Sequence, residues 1–299
     1  MSEQEAQDAA QKATRLSPAQ EARTREILGD GRFRAVIDTM FDRFFGRSED
    51  ASPGRAAAEA LGWIDPATGA FTRLGYFAAD SCREYRFWRD RQGRLPFEQD
   101  EPDFLTAGYF AGKTTIEIGC GMGANLMSLA GCVEDLRGVD PVPIYRQLGD
   151  IFREIEGLAP VTILEGSGEA IPAASGSADA ILCVTAHQYM DLRQAVSEMA
   201  RVLRPGGELI LLGGTFRSIV KGWAPAQLKA QAITLVNTLG YMALSRRPIP
   251  AWGPWSTSRP IYPTQAYMTR LLRKAGLELF SPPVAVGAEE TGFFARRTQ

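Results

Sequence analysis

A chain of 299 residues, 45% apolar and 23% charged, has an ordinary globular composition and is long enough for one elaborated domain or two. Its formal net charge of −2 argues against a protein built around a phosphate backbone, so no nucleic-acid partner is expected. No apolar stretch reaches the roughly 18 residues that span a bilayer, and the start, Met1-Ser2-Glu3-Gln4-Glu5, is unlike a secretory signal. Four cysteines without a Cys-x-x-Cys pair, and a single histidine, His187, give no reason to expect a metal site. The expectation is a cytoplasmic monomer or homodimer.

Residues 1–16 are polar and are expected to form a disordered tail. Residues 17–110 read as a helical N-terminal cap region. Phe33, Val36, Ile37, Met40, Phe41, Phe44 and Phe45 recur at three- and four-residue steps and predict a helix over Gly31–Arg47. A turn at Ile64–Gly69 precedes a second helix over Tyr76–Asp90. Its aromatic run, Tyr85, Phe87 and Trp88, could pack within the helical region or close over a ligand.

From residue 111 the pattern changes to short apolar strands alternating with amphipathic helices, which favours a parallel sheet covered on both faces. The strands are Thr115–Ile118, Leu136–Val139, Val161–Leu164, Ala180–Val184 and Glu208–Leu212. Helices are expected from about Met122, over Ile144–Ile155 and over Leu192–Leu203. Residues 215–263 interrupt this core as a lid insertion, with a helix over Pro225–Leu239 and a proline- and tryptophan-rich loop over Pro248–Pro263.

The first strand runs into three glycines at alternate positions, Gly119, Gly121 and Gly123, after the acidic Glu117. A dinucleotide fingerprint reads Gly-x-Gly-x-x-Gly; here the spacing is Gly-x-Gly-x-Gly. A carboxylate aimed at such a loop would repel phosphate and suit an ammonium group. The second strand ends in Gly138-Val139-Asp140-Pro141, which puts a carboxylate at the sheet edge where a ribose hydroxyl can be held.

These residues resemble motif I and the second-strand acidic residue of the class I S-adenosylmethionine-dependent methyltransferases, of the small-molecule type 11 kind. Glu165–Pro172, Ala178–Val184, Arg201–Leu211 and Tyr267–Leu277 resemble the family's later blocks in the same order. The resemblance implies an α/β fold with a Rossmann-like seven-stranded sheet, its sixth and seventh strands drawn from Leu277–Val286 and Gly292–Arg296, the last antiparallel. It also implies S-adenosyl-L-methionine as cofactor and methyl transfer to an oxygen, nitrogen or carbon of a small apolar or aromatic metabolite.

By that resemblance the cofactor set is Glu117, Gly119, Cys120, Gly121, Gly123, Asp140, Pro141, Ser167, Gly168 and Val184. The glycines would form a floor, Glu117 would orient the loop or reach the ammonium, and Asp140 would accept both ribose hydroxyls. Pro141 would lie against the adenine. Ser167 stands where many relatives carry an aspartate. His187 and Tyr189 are the catalytic candidates: His187 as a general base or as a capping or core residue, Tyr189 to place the substrate. The family's own histidine aligns with Gln188. A lid lining of Phe216, Trp223, Tyr241, Met242, Trp252, Trp255 and Tyr262 would suit an aromatic acceptor, or would be the lid's own core. A ring-carbon methyltransferase and a cofactor-binding protein without chemistry are the alternatives.

Overall fold

A computed structural model of the chain describes residues 14–47, 52–96, 105–221, 228–246, 260–286 and 290–298. In chain order the helices before the sheet are α1 (Pro18–Gly29), α2 (Phe33–Phe44), α3 (Arg55–Ala60) and α4 (Arg73–Asp90). The α/β part follows as β1 (Thr114–Ile118), α5 (Ala124–Leu129), β2 (Asp135–Asp140), α6 (Pro143–Glu156), β3 (Thr162–Glu165), β4 (Ala178–Val184), α7 (Leu192–Val202) and β5 (Leu203–Gly214). The chain continues with α8 (Phe216–Lys221), α9 (Leu228–Leu244), α10 (Gln265–Lys274), β6 (Leu277–Leu279), β7 (Val284–Val286) and β8 (Glu290–Arg297). The fold is mixed α/β.

Two compact units divide the chain. The first takes Met1–Pro96, Gly121–Ala130 and Asp140–Glu165; the second takes Phe97–Cys120, Gly131–Val139 and Gly166–Gln299. The grouping differs from a cut at residue 110, because α5, α6 and β3 belong with the N-terminal helices.

In the first unit α1 starts at a capping box, Ser17 accepting from the Gln20 amide while the Gln20 side chain accepts from the Ser17 amide. The apolar face of α2 buries Phe33, Val36, Ile37 and Met40 in one cluster with Tyr85 of α4 and Ile144, Leu148 and Phe152 of α6. Phe33, Tyr85 and Phe152 meet edge to face, with ring centroids 5.1, 5.2 and 5.6 Å apart. Tyr85 is thus a core residue of the helical unit, and Phe87 packs on Phe41 at 5.4 Å. Proline at the first turn and Gly157 at the end, with φ +65°, delimit α6. Residues 1–13 of the expected tail lie outside the described residues. Its last three do not form a free tail: the Thr14 carbonyl accepts from the Ile144 amide at 3.1 Å, and Leu16 is buried, its amide bonded to Gln147 at 2.9 Å.

The sheet of the second unit runs β2-β1-β4-β5-β8-β6, with β7 also paired to β8. The pairs β1–β2, β1–β4 and β4–β5 are parallel, and β8 is antiparallel to β5, β6 and β7. The segment Leu277–Val286, read as one strand, divides into β6 and β7 because Pro282 and Pro283 cannot donate to a ladder. The expected lid helix begins at residues outside the described set and is seen as α9, extending to Leu244.

Candidate functional site

The unit boundary falls inside the glycine loop, between Cys120 and Gly121, and again between Val139 and Asp140. Each unit therefore carries its own share of the candidate residues.

In the first unit, Asp140 ends β2 and is 8% exposed. One carboxylate oxygen accepts from the Gly121 amide at 3.0 Å and the other from the Val142 amide at 2.9 Å. Both oxygens thus hold backbone, and each keeps a further lone pair for a ligand hydroxyl. Burial pushes the Asp140 carboxyl up to about 6, against which the two amide bonds work. Gly121 has φ +55°, a left-handed angle that disfavours other residues. A side-chain carbon there would lie 2.5 and 2.6 Å from the two carboxylate oxygens of Glu84.

Glu84 comes from α4, and sequence reasoning missed it. Its carboxylate accepts from the Met122 amide at 3.2 Å, so two acids cap two consecutive amides of the loop. Loss of water is the first cause that raises its pKa well above the ordinary glutamate value, and repulsion from Asp80 adds to it. Asp80 is held by Arg83 at 2.7 Å and by the Tyr145 hydroxyl at 2.7 Å. The signal in the sequence was Asp80 and Glu84 at four-residue spacing, a like-charge pair that costs a helix stability unless something compensates it. From beneath, the buried Arg153 donates to the Met122 carbonyl at 2.8 Å and fixes the loop on α6. Gly123, at φ +88°, starts α5, and Pro141 is half-buried.

In the second unit, Glu117 and Cys120 are buried, Glu117 only 1% exposed. The Gly119 and Cys120 amides donate to the Val139 carbonyl at 2.8 and 3.3 Å, turning the chain at the end of β1. The side-chain direction of Gly119 meets the Ala186 methyl, with the Met190 methyl at 3.5 Å, and a carbon added to Gly168 would collide with the Met190 sulfur. Gly119 and Gly168 are therefore brought together under Ala186 and Met190, two residues that motif reading did not single out. The Ser167 carbonyl accepts from the Ala170 amide at 3.1 Å, and Val184 is half-buried at the end of β4.

Beyond β4, Thr185 has φ +52°, a rare angle for a β-branched residue, with its amide donating to the Leu212 carbonyl at 2.8 Å. His187 is 1% exposed, and burial pushes its imidazole down to about 4. The ring abuts Gly213, where a side-chain carbon would be 2.6 Å from Cε1 and 3.0 Å from Nδ1. Gln188 is buried too, its carbonyl accepting from Ile261 at 2.9 Å. Tyr189 is 51% exposed.

Of the lid aromatics, Trp223, Trp252 and Trp255 lie outside the described residues. Tyr241 is buried, its hydroxyl donating to Asp191 at 2.9 Å and accepting from the Arg193 amide at 3.2 Å, which ties α9 to the start of α7. The Tyr262 ring covers Gly214. Phe216 and Met242 are half-buried. Among the described residues no group of three or more His, Cys, Asp or Glu could hold a metal ion, and no helix is long and apolar enough to cross a membrane.

Residues 116–211 match the family described as Methyltransferase domain. An uncharacterized methyltransferase of Mycobacterium tuberculosis is 33% identical over 132 residues, 44% of this chain and 51% of that protein. The ubiquinone biosynthesis O-methyltransferase of Cupriavidus pinatubonensis is 27% identical over 171 residues, 56% of this chain and 61% of that protein. The chain thus spans about half the length of these mycobacterial relatives. A methyltransferase solved in complex with the Haloferax volcanii Trm112 methyltransferase activator shares the fold, with TM-score 0.52 and 15% identity over 75% of this chain and 98% of that one. Residues 116–211, which hold the glycine loop, Asp140 and the β4 exit, are thus similar to the methyltransferase domain family.

Proposed function

We propose that the protein transfers a methyl group from S-adenosyl-L-methionine to a small apolar or aromatic metabolite. The observation that carries this reading is Asp140, a buried carboxylate with one oxygen on the Gly121 amide and the other on the Val142 amide, at the exit of the strand beside a Gly-x-Gly-x-Gly loop. Such a carboxylate has lone pairs left for a ribose diol. The donor set is acidic at the loop, with Glu84 and Asp140 on adjacent amides, and so fits a cofactor with cationic groups rather than a pyrophosphate. When bound, the cofactor supplies an already activated methyl group on a positive sulfur.

The protein's part is then alignment and exclusion of water. The acceptor's lone pair forms the new bond to the methyl carbon, the sulfur keeps the electron pair of the bond that breaks, and any proton on the acceptor passes to a base or to solvent. We take Tyr189, which is exposed after β4, as the side chain that meets an acceptor; His187 is buried and would have to be uncovered to take a proton. Its lowered pKa keeps it a neutral, weak base at pH 7. The half-buried Phe216 and Met242 and the Tyr262 ring support an apolar acceptor. The relative named as a ubiquinone biosynthesis O-methyltransferase supports oxygen over carbon as the acceptor atom.

Calorimetric titration tests the cofactor: S-adenosylhomocysteine should bind and NAD should not, and the reverse result overturns the reading. Incubation with methyl-labelled cofactor and a metabolite extract then tests the transfer. A protein that binds the cofactor and labels nothing is a binding protein without chemistry.

A further inference from the structure

We infer that Arg153, from beneath the glycine loop, is a positioning residue that aims the Asp140 carboxylate at the cofactor's ribose; this rests on the methyl-transfer reading above. Three successive main-chain groups of the loop are each held by one charged side chain. The Gly121 amide donates to Asp140 at 3.0 Å, the Met122 amide to Glu84 at 3.2 Å, and the Met122 carbonyl accepts from Arg153 at 2.8 Å. The anchors come from three elements, the end of β2, α4 and α6. The loop needs them, because Gly121 and Gly123 sit at φ +55° and +88° and glycine holds no backbone angle by itself.

The helix α6 is shaped around this contact. Gly149 lies one turn before Arg153 on the same face. A carbon added to it would be 2.3 Å from the Met122 carbonyl oxygen and 3.0 Å from Arg153 Nη1. Glycine in a helix interior lowers stability, so its place here follows from the close approach of the loop. Arg153 is 2% exposed, and its Nε has no hydrogen-bond partner among the described residues. Asp150, which it meets at 2.7 Å, is 44% exposed, so water screens much of that pair. An apolar side chain of like volume would fill the same space without burying a charge. Folding alone gives weak grounds for an arginine at this position. Holding one carbonyl of the loop gives a better one.

The route from Arg153 to the ligand is short. Asp140 spends one oxygen on the Gly121 amide and the other on the Val142 amide, and these two bonds set the plane of its carboxylate. A diol is held by both oxygens only while that plane is fixed. Released from Arg153, the Met122 peptide can turn about its glycine neighbours and carry the Gly121 amide off Asp140. The carboxylate would then keep the Val142 bond alone and rotate out of register with the ribose hydroxyls. Arg153 acts only through the loop and takes no part in bond making.

The test is calorimetric titration of the full chain with S-adenosylhomocysteine and, by displacement, with adenosine and with dideoxyadenosine, which lacks the ribose diol. Parent, Arg153→Met, Arg153→Lys and Gly149→Ala are compared, with urea unfolding to show that each is folded. In the parent, adenosine should bind more tightly than the dideoxy analogue. Arg153→Met should weaken S-adenosylhomocysteine by about tenfold and bring the two nucleosides to within about twofold of each other. Arg153→Lys, which keeps a donor for the Met122 carbonyl, should recover part of both. Gly149→Ala pushes the same carbonyl away and should lose the same discrimination, although alanine suits a helix better. This second variant decides the matter if Arg153→Met does not fold. A loss of stability in Arg153→Met with affinity and discrimination kept would make Arg153 a packing residue. An equal loss for both nucleosides would place its effect elsewhere than Asp140. Either result overturns the inference and leaves the function standing, as does a parent that binds S-adenosylhomocysteine without telling the nucleosides apart. A parent that binds neither S-adenosylhomocysteine nor adenosine overturns both.

Discussion

Glu208 and the pair Glu84–Asp140 are carboxylates taken partly out of water, and the chain treats them in opposite ways. Glu208, on β5, accepts from the Tyr109 hydroxyl, from Arg296 at 2.7 Å and from Lys113 at 3.2 Å. Burial alone would raise its pKa, yet these donors outweigh it and hold the carboxyl below the ordinary glutamate value. Glu84 and Asp140 receive one or two backbone amides each and are left above their ordinary values. A carboxylate that only supports a fold is supplied with its own cations. One left short of cations stores a cost that a ligand can relieve.

The sharpest way to break this comparison is Gly121→Val. The branched side chain would run into Glu84 and would have to adopt φ +55°. Cofactor binding should fall below detection, and urea unfolding should show a loss on the order of 1–3 kcal/mol from backbone strain. Binding at the parental level would mean that the Glu84 side of the loop does not face the cofactor.

Paired substitutions come next. Asp140→Asn should weaken cofactor binding by roughly 1.5–3 kcal/mol, the worth of hydrogen bonds to a charged group. Glu208→Gln should leave binding within about threefold and cost stability of about 1–3 kcal/mol, because Lys113 and Arg296 lose their partner. The two also differ in sign with pH. Asp140 has a folded pKa of about 6, above its unfolded value, so the folded state binds the extra proton. Its stabilising contribution is full below about pH 4 and is lost as pH rises toward about 6, on the order of 2–3 kcal/mol without ligand. Glu208 has a lowered folded pKa, so its contribution is full above the unfolded value of about 4.3 and is lost as pH falls through the folded one. Urea titrations of parent and variants across acid pH read both slopes directly, and slopes of the same sign would sink the distinction.

His187→Ala sharpens the assignment on the β4 side. With the ring packed on Gly213 and 1% exposed, the variant should lose about 1–3 kcal/mol of stability. Its turnover should stay within about tenfold, below the usual contribution of a general base. A larger fall in turnover, with cofactor affinity intact and the parent's pH dependence gone, would make His187 the base. The smallest effect belongs to Thr185→Gly, which should stabilise by about 1 kcal/mol by relieving a left-handed β-branched residue. If the same variant loses turnover, the strain serves the β4 exit.

Much of the α/β order was legible because each step writes its own local signal. The apolar runs of β1, β4 and β5, the glycines after β1 and the carboxylate closing β2 are contiguous in sequence, so period and spacing reveal them. Less of the candidate site can be read from spacing alone. Asp140 could be picked out, but its two amide partners depend on how the loop folds back. Glu84 reaches the loop from thirty-seven positions earlier than Gly121, a tertiary meeting that helical periodicity records only as an acidic pair on α4. Met190 and Ala186 looked like ordinary apolar residues, and their place over Gly119 and Gly168 follows from the turn after β4. The split of β6 from β7 was written plainly in Pro282 and Pro283 and was passed over by reading one strand through them.

The first unit is assembled from three separate stretches of chain, and that has a practical bearing on where the gene can be cut. A truncation starting near residue 111 keeps the whole segment that matches the family, residues 116–211. It also removes the cover from Phe152, Ile144, Leu148 and Met122, which Phe33, Val36, Tyr85 and their neighbours bury. Each large side chain uncovered forfeits about 1.5–3 kcal/mol, and the same cut deletes Glu84 and the Leu16 tether to Gln147. The shortest stretch of chain that keeps this core covered is therefore longer than the matching segment, and the N-terminal helices are a structural part of the first unit rather than an appendage to it.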